Sequence, residues 1–491
     1  MSNKAIHGGA AALKNPDIYE ETLAHVNTHS RPGGLKITDM RFAQLEGAPY
    51  PCIMMKLYTN QGITGFGEVR DMASKTYALM LKGRLLGENP CNIDMLFRRI
   101  KQFGGQGRQG GGVSAVEIAL WDIAGKAYNI PVYQMLGGKF RDKMRIYCDT
   151  DADITEDRSA GEAMGQALLK RLEKGYTILK MDLGINLLRD VPGSMTAPLG
   201  YFEEQRRLSQ ISRKMYPTPW QPDASEERKR VRGTKDIDAL TEIFTARNNA
   251  IYYSQKHPFT GIQLTEKGLD VLEQYVADVR SIIGFDVPLA LDHFGPISAD
   301  EILRLARRIE KYNIAWMEDP ISVQYPEQWR KLVMNTNIPI CTGENIYLAE
   351  NFEPLLNVEG ITVAHPDPLT AGGILESKKI GDLAQRFGVR MALHQAATPI
   401  HAMAAAHIGV ATENCWACEF HANDVPWWDD LIVSKMPKPL VERGFIDVPD
   451  LPGLGIDDLN DEVIREHISS WDPGLWEPTD EWNFEFASDG F

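Results

Sequence analysis

Six chemistry-bearing residues recur at nearly equal intervals through the second half of the chain: Asp292, Glu318, Glu344, Asp367, His394 and Glu419. Each closes a short apolar run (PLALD, IAWME, ICTGE, VAHPD, MALH, CWACE). The steps between them are about 26, 26, 23, 27 and 25 residues, the length of one strand plus one crossover helix. Runs with helical periodicity, such as EILRLARRIEKY and ILESKKIGDLAQRF, fill the gaps. A polar residue at the C-terminal end of successive parallel strands is the sequence image of a TIM-barrel active site, so one spacing predicts both an α/β barrel and the place of its chemistry.

The rhythm starts earlier. MRIYCD (144–149) reads as the first barrel strand and YTILKMDL (176–183) as the second, and the six runs above complete eight. Between Asp182 and Asp292 lie about 110 residues where one strand–helix unit takes 25 to 30. An insertion is therefore expected at about 186–265, rich in charge and aromatics and too long for a structureless loop in a compact domain. Ahead of the barrel, ITDMRFAQLE, PCIMMKLYTN and GITGFGEV read as strands, the last two joined by an Asn60-Gln61-Gly62 turn. The helical patterns SKTYALMLKGRLLG, IDMLFRRIKQF and SAVEIALWDIAGKAYN follow, with Ser114 as expected N-cap and Glu117 at the capping-box position. Strands followed by helices mark a separate α+β domain. The expected division is an extension over 1–34, the α+β domain over 35–140, the barrel over 141–435 and a C-terminal segment over 436–491 that returns to the α+β domain.

Composition narrows the function classes. A formal net charge of -15 over 491 residues argues against a nucleic-acid partner, which needs a basic surface, but leaves room for a small anion in a local cationic pocket. The six cysteines suit reduced core thiols rather than a disulfide framework, and the Cys415/Cys418 CxxC lacks a second ligand pair for zinc. The N-terminus lacks a signal-peptide apolar region, and no run of about 18 apolar residues occurs; a cytoplasmic protein without membrane contact is expected.

Asp292, Glu318 and Glu344 end three consecutive strands. Three converging carboxylates repel one another unless protons or a cation neutralise them, and all-oxygen ligands suit Mg²⁺. Asp367 and His394 close the next two strands, where the carboxylate can orient the imidazole and raise its basicity. Lys180 and Asp182, two apart, share a strand face; an inward Lys180 is expected to hold a substrate carboxylate, and Glu419 to contact the same group. His293 and His365 are strand-end histidines that adjoin stronger candidates, with His293 expected on the other face. His401 and His407 fall in the following helix as packing or surface residues. GQGRQG at 105–110 matches GxGxxG but follows a helical pattern, so a dinucleotide site is rejected.

From about 36 to 467 the chain resembles the enolase superfamily, and within it the mandelate racemase subgroup. The motifs are SAVEIALWDIAGKA, PVYQMLGGKFRD, KMD, LALDHFG, WMEDP, TGEN, HPDPLTAGGI, ALHQAATP and ACEF, in that order. The resemblance implies a modified (β/α)₇β barrel under an N-terminal α+β capping domain, and Mg²⁺ on Asp292, Glu318 and Glu344. It further implies an Asp367–His394 general-base dyad, with Glu419 near the enolate oxygen, and chemistry that removes the proton α to a carboxylate. Many subgroup members carry a second lysine where this chain has Asp182. A one-base site argues against racemisation and for dehydration of an aldonate or aldarate, with Asp182 binding substrate hydroxyls. An epimerase or cycloisomerase using the same enediolate is the alternative, and a catalytically silent acid-sugar-binding or assembly protein is the alternative of another class. A homo-oligomer is expected.

Overall fold

The computed structural model describes residues 30–152, 159–198, 259–470 and 472–484. Three antiparallel strands open the chain: β1 (Ile37–Leu45), β2 (Cys52–Thr59) and β3 (Thr64–Val69), in that spatial order. Helix α2 (Gly111–Tyr128) packs on this sheet, and α1 (Ile93–Ile100) packs against α2. Between β3 and α1 the expected long helix over SKTYALMLKGRLLG is reduced to single turns at Thr76–Leu79 and Lys82–Arg84. Its glycine and the burial of Lys82 against Asp39 and Thr479 break the periodicity.

Eight parallel strands then close on themselves: β4 (Lys143–Thr150), β5 (Leu179–Asp182), β6 (Leu289–Asp292), β7 (Ile314–Glu318), β8 (Ile340–Thr342), β9 (Val363–Ala364), β10 (Arg390–Leu393) and β11 (Cys415–Phe420). The β11–β4 pairing seals the barrel, and a further strand, β12 (Phe445–Asp447), pairs antiparallel to β4 on its outer side. Helices α3 (Ala160–Glu173), α4 (Glu266–Ile283), α5 (Ala299–Ile309), α6 (Pro326–Asn335), α7 (Glu353–Asn357), α8 (Ile374–Arg386) and α9 (Pro399–Val410) follow the first seven strands in turn. The expected (β/α)₇β barrel under an α+β domain is the observed fold. The two ends of the expected insertion meet in a short antiparallel ladder, Met195–Thr196 with Gln263–Leu264; most of the insertion, with Tyr201, Tyr216 and Trp220, lies outside the described residues.

The barrel interior is layered by the period of two along each strand. Tyr147, Ile178, Ala290, Trp316, Cys341, Val363, Ala392 and Ala417 form one apolar floor. Two residues further on stand Asp149, Lys180, Asp292, Glu318, His365, His394 and Glu419. On β8 the corresponding position is Gly343, whose φ of +144° shifts the next acid, Glu344, one residue outward. The apolar floor thus dictates a polar layer at the strands' C-terminal ends.

Buried carboxylates join the α+β domain to the barrel. Ser114 and Glu117 do not cap their own helix, because α2 already begins at Gly111. Ser114 Oγ instead donates to Gly110 O and accepts from Gly372 N, while Glu117 reaches across to the free N–H groups that open α8. Its oxygens accept from Ile374 N at 2.6 Å, Leu375 N at 3.0 Å and Trp121 Nε1 at 2.6 Å. Gly373, at φ +96°, makes room: a Cβ there would sit 2.0 Å from Glu117 Oε2. Glu68 at the end of β3 accepts from Thr398 N and Oγ1 at the start of α9. Among the described residues, no helix is long and apolar enough to cross a membrane.

Burial raises both carboxyls, only partly offset by these hydrogen bonds, Glu68 to about 7 and Glu117 to about 8. A carboxyl raised in the folded state binds its proton more tightly than in the unfolded chain. Its stabilising contribution is present at acid pH and lost as pH rises through 7 to 8. Thermal unfolding is therefore expected to show a Tm that falls as pH rises from the unfolded value of 4.5 through the folded values of about 7 and 8, and that loses nothing further from these groups above them. At any fixed pH, Glu117→Ala is expected to lower the Tm, because it strips the acceptor from three buried N–H donors at about 1–3 kcal/mol each.

Candidate active site at the barrel mouth

Lys180 stands at the centre of the polar layer. Its Nζ donates to Glu318 Oε1 and Glu419 Oε1, each at 2.6 Å, and lies 3.1 Å from Asp292 Oδ2 and 4.0 Å from Asp149 Oδ2. The side chain is 2% exposed. Burial alone would depress an ammonium's pKa, yet Asp292, Glu318 and Glu419 raise it well above the ordinary lysine value. Lys180 is inward, as the sequence indicates, but its partners are the site's own acids.

Asp292 and Glu318 both aim an oxygen at this one cation. Glu318 is fixed further by Trp316 Nε1 at 3.0 Å. Glu344 takes a different direction, 2.9 Å from His394 Nε2 and 3.6 Å from Arg70 Nη2. Burial opposes its charge, but His394 and Arg70 hold its pKa well below the usual carboxylate range. Among the described residues, the donor sets lying within 4.8 Å of one another are Glu318–Cys341–His365 and His394–Glu419–His421. Neither is the trio Asp292, Glu318 and Glu344. The trio nonetheless fits a hard divalent cation by the chemistry of its donors, three carboxylates from adjacent strands, two of them already converging on one positive charge.

His394 and Asp367 come together. His394 Nδ1–H donates to Asp367 Oδ2 at 2.5 Å, and Asp367 Oδ1 accepts from Leu369 N at 2.6 Å and Thr370 N at 3.1 Å. The carboxylate therefore fixes the imidazole with Nε2 toward the acids. Arg70, at the turn after β3, was not anticipated. Fully buried, it pairs through Nη1 with Asp367, lies 3.0 Å from His394 Nδ1 and extends Nε to 2.9 Å from Asp71 Oδ1. Nothing in the periodicity of the α+β domain points into the barrel, so sequence reasoning had no signal for it.

The remaining histidines fall into three places. His365 belongs to the inner layer: Nδ1–H donates to Ala392 O at 2.9 Å, and Nε2 lies 3.2 Å from Glu318 Oε1 and 3.4 Å from Glu419 Oε2. Alternation along β9 from Val363 was the available signal, as it was for Asp149 and His421 on β4 and β11. His293 does not point away. Its φ of +56° turns the ring back, placing Nδ1 3.0 Å from Asp182 Oδ1 and 3.3 Å from Asp292 Oδ2. Asp292 first, and Asp182 through its hydrogen bond, raise the His293 pKa. With Asp151, Met164 and Tyr275, this pair lines a cavity of about 170 Å³ at the mouth. His401 and His407 are both fully buried packing residues rather than surface ones, His401 3.5 Å behind Asp367 Oδ1 and His407 stacked on Tyr133.

The cysteines are free, and Cys415 and Cys418 are buried. The GQGRQG segment is a single tight turn, Gly107–Gly110, leading into α2, where Arg108 pairs with Asp71 and Asn345.

Residues 21–137 match the N-terminal domain of the mandelate racemase and muconate lactonizing enzymes, and residues 247–462 match the enolase C-terminal domain-like family. The chain is 28% identical over 459 residues to a D-xylonate dehydratase of Haloferax volcanii, covering 92% of this chain and 93% of that protein. It is 26% identical over 462 residues to a D-galactonate dehydratase of Ralstonia pickettii, covering 91% and 98%. A solved mandelate racemase/muconate lactonizing enzyme-like protein from Rubrobacter xylanophilus, 24% identical, superposes with a TM-score of 0.69 over 89% of this chain and 98% of its own, a likeness of fold. A closed parallel barrel bearing acids at its strand ends, an antiparallel α+β domain locked onto it and two matching domain models lead to one assignment: the chain belongs to the enolase superfamily, in the mandelate racemase subgroup.

Proposed function

We propose that the protein is a Mg²⁺-dependent dehydratase of acid sugars, an aldonate or aldarate, giving a 2-keto-3-deoxy acid. The observation that supports this reading is the Asp367–His394 dyad, whose Nδ1 is held by Asp367 and whose Nε2 lies among the acids, 2.9 Å from Glu344 Oε2. The two near-full-length relatives named as D-xylonate and D-galactonate dehydratases support the substrate class.

Asp292, Glu318 and Glu344 would hold Mg²⁺, which supplies positive charge to a substrate carboxylate and so acidifies its α-carbon. Asp367 keeps the His394 Nδ1 proton in place, so Nε2 is the atom that accepts the α-proton. The resulting enediolate carries its charge toward Lys180, whose ammonium is held in the charged form by its neighbours. His394, now protonated, returns the proton to the departing β-hydroxyl, and the enol product ketonises. Glu419 stays fixed against Lys180 at the far side, and Asp182 faces the cavity where substrate hydroxyls would lie.

One observation favours a second reading. The His293–Asp182 pair is a second imidazole–carboxylate couple whose ring is held protonated by Asp292 and Asp182, so a second group able to give a proton stands beside the site. That removes the strongest sequence argument against epimerisation through the same enediolate.

A panel of acid sugars is expected to yield 2-keto product, and no turnover by the Mg²⁺-loaded enzyme would reject the proposal. His394→Asn is expected to cut kcat by about 10²-fold or more while substrate still protects the protein in thermal-shift assays. Unchanged turnover in that variant would instead point to another base or to a silent barrel. In deuterium oxide, recovered substrate is expected to stay unlabelled; label at the α-carbon without water loss would favour epimerisation.

A further inference from the structure

Two buried polar atoms without hydrogen-bond partners belong to neighbouring side chains of the polar layer, Glu419 and His421. Glu419 commits Oε1 to Lys180, but its Oε2 has no hydrogen-bond partner, although the residue is only 1% exposed. The ring nitrogens nearest to Oε2 are His365 Nε2 at 3.4 Å and His394 Nε2 at 3.7 Å. His421 follows Glu419 by two residues and so returns to the same face. Its Nε2 lies 3.3 Å from Glu419 Oε1 and 3.7 Å from Asp149 Oδ2, and it too lacks a hydrogen bond. On the ring's other side, Tyr50 from the α+β domain brings its hydroxyl to 3.4 Å from Nδ1. One donor atom each from His394, Glu419 and His421 lies within 4.8 Å of the others.

These separations are those of a coordination sphere. Ligand bonds of about 2.0–2.1 Å arranged tetrahedrally place donor atoms about 3.3 Å apart; His421 Nε2 lies 3.3 Å from Glu419 Oε1 and His394 Nε2 3.7 Å from Glu419 Oε2, so either carboxylate oxygen can serve as the shared ligand. Two imidazoles and one carboxylate make a ligand set for zinc-like ions. Imidazole donors suit Zn²⁺, Co²⁺, Ni²⁺ and Cu²⁺, whereas Mg²⁺ requires octahedral oxygen ligands. The Asp367 carboxylate on His394 Nδ1–H is the partner that orients and strengthens a metal-binding histidine.

We infer that His394, Glu419 and His421 form a second metal site, separate from the carboxylate trio, that binds a borderline transition cation such as Zn²⁺. Binding there occupies the Nε2 lone pair of His394. The ion is therefore an inhibitor that removes the base rather than an activator; this inhibitory part rests on His394 being the base proposed above, whereas the binding part rests on geometry alone. The Glu344 contact to Nε2 and the Lys180 contact to Glu419 compete with the ion, which makes the site reversible rather than structural.

Calorimetric titration of Zn²⁺ into the full chain in excess Mg²⁺ tests the inference, with Co²⁺ as a spectroscopic probe. One equivalent per chain is expected, not displaced by further Mg²⁺, with the intense visible bands of low-coordinate Co²⁺ and loss of turnover. His421→Ala, with His421→Asn as a second variant should the first fail to fold, is expected to weaken Zn²⁺ binding at least tenfold, whereas Asp292→Asn leaves the Co²⁺ bands in place. Zn²⁺ binding that Mg²⁺ competes away, or that is unchanged in a folded His421 variant, overturns the site. The Co²⁺ spectrum reports binding even if no acid sugar is turned over, so the two proposals fail separately.

Discussion

A single ammonium group, Lys180, makes this barrel mouth physically tolerable. Asp149, Asp292, Glu318 and Glu419 converge where little water reaches, and each would otherwise carry an uncompensated charge in a medium that screens poorly. The pKa of Lys180 rises despite complete burial because three acids share it. Asp149, farthest from Nζ of the four, is pushed up by burial to about 6 even though Lys180 opposes the shift. The charge pattern therefore runs from a firmly charged ammonium at the centre to an acid at the edge, Asp149, that takes up a proton more readily than an ordinary carboxylate.

The same layer explains what could be seen from the amino-acid order. Strand ends were legible because a parallel strand buried on both faces is an unbroken apolar run, and a charged residue at its end is conspicuous. Lys180, Asp292, Glu318, His394 and Glu419 were found that way, and all five line the mouth. His365 and Asp149 obey the same alternation yet were passed over, since a more prominent acid or an apolar run drew attention from the residue two places on. Alternation also misplaced His293, because its rule assumes extended backbone and this residue has φ +56°.

Long-range partners left no local trace. Ser114 and Glu117 have the spacing of a capping box, and that pattern was real in a different sense: both side chains do satisfy free N–H groups at a helix start, but the helix is α8, more than 250 residues later in the chain. Arg70 presents the same difficulty at the site itself. Apart from the adjacent Asp71, its environment is built by Asp367, His394 and Glu344, none of which is near it in sequence, so the direction of its buried charge has no reading until the two domains are docked.

Arg70 also carries a consequence for how such proteins diversify. A guanidinium rooted in the N-terminal sheet is embedded beside the barrel's Asp367–His394 pair, so exchanging one folding unit without the other would remove a buried charge partner. A transplanted barrel would meet a foreign sheet with Asp367 stripped of its cationic partner, and the imidazole would sit in an altered electrostatic field with every barrel residue intact. The small domain is in this sense part of the electrostatic setting of the strands it covers, and a substitution at Arg70 would be felt at His394 as directly as one within the barrel.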